Sequence, residues 1–265
     1  MKAEILSHLP GAYPWKENLH WFDSLGSTND HIRALAKAGA PAGTAGLADH
    51  QTAGHGRRGR SFHSPEGVGV YLSLLLRPDC PPARLMHLTC AVAVAMCDAV
   101  EASAGFRPAI KWTNDLVSGK RKLGGILTEI GFNQKGNVDW AIIGVGINCC
   151  QTESDFPGEI RDMAGSLSMI AQAPIDRAKV AAAMLAQLQS MSEKLLDRKE
   201  ELLNQYRADC MTLGQDVVLV RGDEKRYGHA LDIDESGALL VRFADGSLEA
   251  VSSGEISVRG MYGYV

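Results

Sequence analysis

Apolar and polar positions follow one another along this chain in blocks that predict strands alternating with helices. Residues 19–39 begin as an apolar strand and pass through the polar stretch Ser27, Thr28 and Asn29. Short polar side chains of this kind cap the first turn of a helix. The helix that they start is predicted to end near Gly39.

The middle of the chain continues the alternation. Apolar residues of 83–104 recur at helical spacing, which predicts an amphipathic helix. Residues 108–130 indicate a strand, a turn, a lysine-rich loop and a second strand, and residues 138–150 form a β-branched strand that ends in a polar asparagine. Residues 174–208 indicate a helix with a break near Ser192.

The pattern changes at Leu213, where short strands separated by tight turns begin. Their spacing is typical of a small barrel. We therefore predict two domains, 1–212 and 213–265. The predicted C-terminal strands are 215–221, 226–234, 238–244, 247–253 and 255–260.

Composition narrows the class of protein. The chain has 265 residues, a net charge of −4 and six cysteines that form no C-x-x-C pair. The cysteine spacing favours reduced thiols over disulfides or zinc. The negative net charge gives no general attraction to nucleic acid. The N-terminus has no signal-peptide core, and the most apolar long stretch, 85–100, is shorter than the ~20 residues of a membrane span. We expect a cytoplasmic protein without membrane or DNA partners and without a protein-bound metal.

The string GHGRRG at 54–59 matches the G-x-G-x-x-G pattern of dinucleotide-binding turns. That pattern works only where a strand leads directly into a helix. Here a predicted strand at 44–53 precedes it, but Pro65, Gly67 and Gly69 follow, and the next apolar run is again a strand. The string is therefore predicted to be a loop between two strands.

Three arginines, Arg57, Arg58 and Arg60, lie among the glycines of this loop. Arginine offers a planar fork that fits phosphate or carboxylate, so the loop suits an anionic ligand. A solvated surface loop is the alternative. Lys111 and Asp115 are open to similar alternatives, since a strand-end lysine often snorkels and an aspartate often caps a turn.

Five strings, taken in order and spacing, point to one family. They are GSTND (26–30), DHQTAGHGRRGRSFHSPEG (49–67), IKWTNDL (110–116), KRKLGGILTEI (120–130) and IIGVGIN (142–148). Together they resemble the catalytic domain of biotin protein ligases. The resemblance implies an α+β fold, in which a mixed β-sheet backed by helices forms a class II synthetase-like core and a small SH3-like β-barrel follows.

The resemblance implies a ligase that joins biotin to ATP as biotinyl-5′-AMP and then transfers biotin to a lysine of a biotin carboxyl carrier protein. ATP and biotin would be substrates, and Mg²⁺ would accompany ATP. Fewer than about twenty residues precede the matching region, so the monofunctional type without a DNA-binding domain is expected. A homodimer is compatible with the resemblance.

The resemblance also assigns roles to individual residues. Lys122 would bridge the biotin carboxylate and the α-phosphate, Arg57 and Arg60 would close over the ligand, and the loop would act as a lid. Lys111 would lie near the phosphates, Asp115 would serve acyl transfer and Asn148 would reach adenine. The predicted biotin pocket comprises Ser27, Thr28, Asn29, Gln51, Gly54, Arg57, Lys122 and Gly125.

Two positions depart from the family pattern, and two rival functions stay open. His55 stands where the commonest loop has arginine, and Thr113 where proline is frequent. A lipoate- or octanoate-transferring enzyme is the nearest rival, because it shares a similar catalytic core. A non-catalytic biotin sensor is the other, and it would be expected to lack Lys122 or Arg57.

Overall fold

A computed structural model describes residues 1–221, 224–252 and 257–260. Its larger part is built on a seven-stranded sheet with the spatial order β1-β2-β3-β7-β6-β5-β4. β1 and β2 run parallel and the other neighbours run antiparallel, so the sheet is mixed, as predicted. The strands are β1 (Leu19–Leu25), β2 (Ala45–Gln51), β3 (Gly69–Leu76), β4 (Ala109–Lys111), β5 (Asp115–Ser118), β6 (Arg121–Phe132) and β7 (Val138–Asn148).

Helices cover both faces of this sheet. α3 packs between the sheet and the pair α5 and α6, while α2 packs on the opposite face against β2, β3 and β7. The predicted fold class, a mixed sheet backed by helices, is confirmed. The helices are α1 (Lys2–His8), α2 (Thr28–Lys37), α3 (Leu88–Ala104), α4 (Leu167–Ala171), α5 (Arg177–Lys194) and α6 (Lys199–Asp209).

The helix predicted over 83–104 differs from the prediction in start and in character. A 3-10 turn at Pro82–Arg84 precedes it, and α3 begins at Leu88. Its side chains are buried around most of the circumference, from Leu88 to Val100. A helix between a sheet and two other helices needs apolar residues on every side, so the prediction of an amphipathic helix with a single apolar stripe was wrong.

The stretch Pro82–Ala104 is the one part of the described chain with the length and apolar composition of a membrane span. Its most apolar window is 72% buried inside the protein. Core helices of globular proteins meet the same test of length and composition.

The lysine-rich segment lies in a strand rather than in a loop. Residues 115–118 form β5, which pairs with β6, and only Gly119 and Lys120 make the turn between them. Lys122 therefore belongs to β6, where its backbone N–H donates to Met163 O at 2.7 Å. The turn needs φ +55° at Gly119, a conformation that glycine adopts readily.

The predicted helical region 174–208 is broken, as expected, but a few residues beyond Ser192. α5 ends at Lys194 and α6 begins at Lys199. Asp176 caps α5 by accepting hydrogen bonds from the backbone N–H groups of Ala178 and Lys179. The short helices α1 and α4 were not predicted, because neither is long enough to show a helical period.

The C-terminal strands form a separate five-stranded antiparallel sheet with the order β11-β10-β9-β8-β12. Of the predicted last strand, residues 255 and 256 lie outside the described ranges, as do residue 253 and residues 261–265 of the predicted domain. The small C-terminal β domain is thus confirmed in type. Its strands are β8 (Asp216–Arg221), β9 (Glu224–Ile233), β10 (Leu239–Phe243), β11 (Leu248–Val251) and β12 (Ser257–Gly260).

The turn between β4 and β5 is held by three parts of the fold at once. The backbone N–H of Trp112 donates to Thr212 Oγ1 at 2.9 Å, and its ring Nε1 donates to Gly237 O, in the turn between β9 and β10, at 3.0 Å. The fully buried Tyr206 of α6 donates to Thr113 O at 3.0 Å. These bonds fix the turn between the large sheet and the C-terminal sheet.

We predict that Tyr206→Phe lowers the free energy of unfolding by about 1–3 kcal/mol, because it leaves the buried Thr113 carbonyl without its donor. Urea denaturation measures this loss. Tyr227→Phe is the matched control, since Tyr227 is 65% exposed, and it should change stability by less than about 0.5 kcal/mol. Equal effects of the two substitutions would contradict a structural role for the Tyr206 hydroxyl.

Candidate active site

One cleft of about 220 Å³ lies between the N-terminus of α2, the arginine loop and the strands β5, β6 and β7. It brings together residues that are far apart in the sequence, including the turn after β4. Gly54 and Asn148 are the predicted site residues that do not line it. The predicted residues that line it are Ser27, Thr28, Asn29, Gln51, Arg57, Arg60, Lys111, Asp115, Lys122 and Gly125.

The floor of the cleft is a stretch of sheet without side chains. Gly125 of β6 is paired with Gly146 of β7, and Gly144 lies two residues earlier on the same face. A Cβ on Gly144 would lie 2.1 Å from Asn29 Oδ1, and one on Gly146 would lie 2.4 Å from the Phe62 ring. The bare floor therefore lets α2 and the arginine loop approach the sheet closely.

The arginine loop forms a narrow hairpin across the cleft. His55 and Ser61 pair as an antiparallel bridge, and Phe62 N–H donates to Gly54 O at 2.9 Å. At the tip a 3-10 turn spans Arg57–Gly59, in which Arg58 has φ 59°. The predicted absence of an α-helix after GHGRRG is confirmed, so the string is a loop that covers the sheet.

His55, one of the two departures from the family pattern, links the loop to α2. Its Nε2 lies 2.9 Å from Asp30 Oδ2. Partial burial raises the pKa of Asp30, but hydrogen bonds from His55 and Arg33 outweigh this, and the pKa lies below its usual value. Both side chains are nearly half exposed, so this pair stabilises the closed loop only weakly.

Arg57 is the arginine that turns into the cleft. Its Nη1 donates to Asn114 Oδ1 at 2.6 Å and approaches Thr113 Oγ1 at 3.4 Å. Burial lowers the pKa of Arg57, and the nearby Asp115 carboxylate opposes this shift. The Thr113 departure thus adds a hydroxyl next to the guanidinium, while Asn114 fixes the position of the loop over the turn.

Lys122 and Asp115 form a close ion pair across β5 and β6. Lys122 Nζ lies 2.6 Å from Asp115 Oδ1. It also packs against Gly125, where an added Cβ would lie 3.4 Å from Nζ. An ammonium group has three N–H donors, so Lys122 can keep this bond and still donate two more. Asp115 is the only carboxylate residue that lines the cleft among the described residues.

The other end of the cleft is polar but uncharged. Ser27 caps α2, and Gln51 Oε1 accepts hydrogen bonds from Thr28 N–H at 2.9 Å and from the Thr28 hydroxyl at 3.1 Å. Gln51 Nε2 in turn donates to Ser64 Oγ at 3.0 Å. Ser73 Oγ lies within donating distance of Thr28 Oγ1, at 2.8 Å. The backbone and side chains at this end are therefore fixed by one another.

Two predicted site residues lie behind the cleft. Gly54 packs against Gln51 and the loop, since a Cβ there would lie 2.6 Å from Phe62 O. Asn148, at the end of β7, donates from Nδ2 to Gly165 O at 2.9 Å and accepts from Gln151 Nε2 at 3.2 Å. Both functional groups of the Asn148 amide thus have protein partners.

Several residues that shape the cleft were not predicted from the sequence. Asn114 was passed over in favour of its neighbour, although it is the residue that binds Arg57. Ser73 could have been found, because it is the single polar residue in the apolar strand GVYLSLLL. Glu129 and Ser64 carried no comparable signal, since their roles depend on contacts between distant segments.

The charges are distributed unevenly over the cleft. Arg57, Arg60, Lys111 and Lys122 line one end, and the protein as a whole carries a net charge of −4. Cations gathered in a cleft raise the local concentration of anions and stabilise negative charge there. This end is suited to phosphate and carboxylate groups, and the uncharged end to a neutral polar ring.

Two family models match the chain. The one described as the biotin/lipoate A/B protein ligase family matches residues 21–148, and the one described as the biotin protein ligase C-terminal domain matches residues 212–259. The bifunctional ligase/repressor BirA of Bacillus subtilis is 37% identical over 91% of this chain and 74% of its own length. The biotin–acetyl-CoA-carboxylase ligase of Mycobacterium tuberculosis is 32% identical over 87% of this chain and 85% of its own length.

Solved structures agree in fold. Biotin protein ligase from Aquifex aeolicus in complex with biotin and ATP has a TM-score of 0.79 and 31% identity, over 92% of this chain and 99% of that chain. Biotin protein ligase from Leishmania major in complex with biotinyl-5-AMP has a TM-score of 0.56 and 25% identity, over 89% and 99% of the two chains. The resemblance seen in the sequence is confirmed, and this chain belongs to the biotin protein ligase family.

Proposed function

We propose that the protein activates biotin with ATP to biotinyl-5′-AMP and transfers the biotinyl group to a lysine of a biotin carboxyl carrier protein. The observation that carries this proposal is the two-ended cleft. Its uncharged polar end fits the ureido ring of biotin, and its cationic end fits a carboxylate next to a triphosphate. The protein is a ligase in this scheme, since ATP cleavage drives formation of the amide.

The first step joins two anions. A carboxylate oxygen of biotin attacks the α-phosphorus of ATP, the bond from that phosphorus to the bridging oxygen breaks, and pyrophosphate leaves. Lys122 Nζ stands on the floor and keeps two N–H donors beyond its bond to Asp115, so it can bind the carboxylate and the α-phosphate together. This holds the attacking oxygen near the phosphorus and offsets the repulsion between them.

The arginine loop supplies further positive charge and excludes water. Arg57 reaches the cleft from above, and Phe62 covers the glycine floor beside it. A mixed anhydride hydrolyses readily in water, so a loop that covers it protects the intermediate. Arg60 and Lys111 line the same end, where they are placed to bind the phosphates.

The second step transfers the biotinyl group. The neutral amine of the acceptor lysine attacks the carbonyl carbon of the anhydride, the carbon–oxygen bond to phosphate breaks, and AMP leaves. The amine must lose a proton, and Asp115 is the carboxylate of the described cleft that can hold the amine and take up that proton. Lys122 remains next to the leaving phosphate and stabilises its charge.

Magnesium enters this scheme as part of the substrate MgATP. Among the described residues, no group of three or more His, Cys, Asp or Glu side chains is placed to hold a metal ion. Asp115, the only carboxylate lining the cleft among those residues, is paired with Lys122. We infer from the chemistry of the ion that Mg²⁺ is held largely by the phosphates and by water, because it dehydrates reluctantly and usually binds substrate phosphates.

Other expectations stay predictions. They are the division into domains at 212 and 213, the homodimer, the cytoplasmic location, the absence of DNA and membrane partners, and the contact of Asn148 with adenine. For that contact, the second N–H of Asn148 Nδ2, beyond the one that donates to Gly165 O, would donate to the base.

We predict that Lys122→Ala abolishes adenylate formation without unfolding the protein. Its backbone bonds in β6 do not involve the side chain, whereas its charge serves both reacting anions. Biotin-dependent exchange between pyrophosphate and ATP should fall by at least about a hundredfold. Lys120→Ala, an exposed lysine of the adjacent turn, is the matched control and should keep the exchange rate.

The same variants test the complete reaction. Wild-type protein incubated with biotin, MgATP and a biotin carboxyl carrier domain should add one biotinyl group to the carrier, as mass spectrometry detects, and Lys122→Ala should add none. Exchange by Lys122→Ala near the wild-type rate would remove this lysine from the mechanism. Biotin binding by the wild-type protein without exchange would favour a sensor.

We predict that biotin with MgATP protects the arginine loop from trypsin. Arg58 and Arg60 are exposed, and the loop is held mainly by hydrogen bonds and a surface pair. A ligand that contacts only the closed loop must shift it toward that state. Without ligand, cleavage after Arg57, Arg58 or Arg60 should be rapid. Equal cleavage in saturating ligand would mean that the loop is not a lid.

We predict that the cleft binds biotin and excludes lipoate and octanoate. Neither acyl chain has groups that pair with the donors and acceptors of Ser27, Thr28 and Gln51 that remain beyond their bonds within the protein. These remaining groups would lose water without a replacement, at about 1–3 kcal/mol each. At micromolar concentrations, calorimetric titration should show saturable binding of biotin but not of lipoate or octanoate. Comparable binding of octanoate would overturn the biotin assignment and favour the acyl-transferring relative.

A further inference from the structure

Asn29 is the one side chain of the described cleft whose amide is held at both ends by residues outside the predicted site. It is 4% exposed and lies over Gly144. Its Nδ2 donates to Glu129 Oε1 at 2.8 Å, and its Oδ1 accepts from Ser73 Oγ at 2.5 Å. These two contacts determine which end of the amide points in which direction.

Glu129 is itself fixed by a charged fork. Arg33 of α2 donates from Nε to Glu129 Oε2 and from Nη2 to Oε1, both at 2.9 Å. Arg33 also binds Asp30 Oδ1 at 2.6 Å through Nη1. A bidentate arginine–carboxylate pair has a defined geometry, so the carboxylate that meets Asn29 is held in one place.

The orientation of the Asn29 amide follows from these partners. A carboxylate only accepts hydrogen bonds, so the end of the amide that faces Glu129 must be the NH₂ group. Turning the amide over would place its oxygen against the carboxylate of Glu129, where two acceptors repel. Nδ2 uses its two N–H groups on Glu129 Oε1 and, at 3.5 Å, on Leu127 O, and Ser73 donates to Oδ1. The group left for a ligand is therefore the second lone pair of Oδ1.

We propose that Glu129 is a positioning residue that sets the Asn29 amide so that its oxygen accepts an N–H group of the substrate ring. This inference rests on the proposed function, because the cyclic urea of biotin carries such N–H donors. Glu129 is not among the residues that line the cleft, and its bond to a lining residue is the one to Asn29. Loss of Glu129 should therefore weaken recognition of the ring and leave the phosphate end of the cleft unchanged.

The test is biotin-dependent pyrophosphate–ATP exchange by Glu129→Leu. The KM for biotin should rise by at least about tenfold, equivalent to about 1.4 kcal/mol, while the KM for ATP and kcat stay within about twofold. Glu129→Gln keeps an oxygen acceptor and should recover most of the affinity. Asp139→Leu is the matched control, because Asp139 is also a strand carboxylate paired with an arginine, Arg77, but lies away from the cleft.

A double-mutant cycle with Asn29→Ala separates positioning from general structure. Once Asn29 is removed, Glu129→Leu should no longer change the KM for biotin. If Glu129→Leu does not fold, Glu129→Asp takes its place, because it keeps a charge for Arg33 and withdraws the oxygen from Asn29. The expected result for it is the same rise in the KM for biotin.

The outcomes distinguish this inference from the proposed function. Absence of biotin-dependent exchange in the wild-type protein would overturn the proposed function. An active wild type with an unchanged KM for biotin in Glu129→Leu or Glu129→Asp would overturn the role of Glu129. A lowered kcat with an unchanged KM, or an equal effect in the Asn29→Ala background, would mean that Glu129 is merely structural.

Discussion

The repulsion between like charges gathered in one cleft is the constraint on which the rest of this structure depends. Arg57, Lys111 and Lys122 converge from a loop, the end of β4 and the start of β6, and Asp115 is the single carboxylate among the described lining residues. Such a cluster disfavours itself until anions arrive, because each cation raises the potential at the others. The scaffold must therefore hold the cations in place. The negative groups of the substrates then reduce the repulsion among these cations.

The scaffold does this mainly through the turn between β4 and β5. Asn114 in that turn binds Arg57 of the loop, and the next residue, Asp115, binds Lys122. Two further hydrogen bonds hold this turn. Tyr206 of α6 donates to it, and Trp112 donates from it to Gly237, in a turn of the C-terminal sheet. The C-terminal sheet is thus linked through this turn to the positions of Arg57 and Lys122.

The sequence was sufficient for the longer elements and their order and for most of the residues that line the cleft, but for different reasons. Strands and helices followed from apolar periodicity, and the absence of a helix after GHGRRG followed from proline and glycine. The site residues came from resemblance to a family, because spacing alone left Lys111, Asp115 and Asn148 open to ordinary structural roles. The place of Lys122 in β6 and the contacts of Ser73 and Glu129 could not be predicted, since each depends on strand register or on segments 45 to 100 residues apart.

The backbone N–H groups at the N-terminus of α2 bear on the orientation of the substrate. The N-terminus of a helix ordinarily attracts anions through its unpaired N–H groups. Here the Thr28 N–H is bound by Gln51 and the Asp30 N–H by Ser27, so this end of the cleft has less to offer a carboxylate. We therefore propose that biotin places its neutral ring against α2 and its carboxylate against Lys122 and Arg57. The hydrogen bonds that complete the helix cap thus also help to determine which end of the substrate meets ATP.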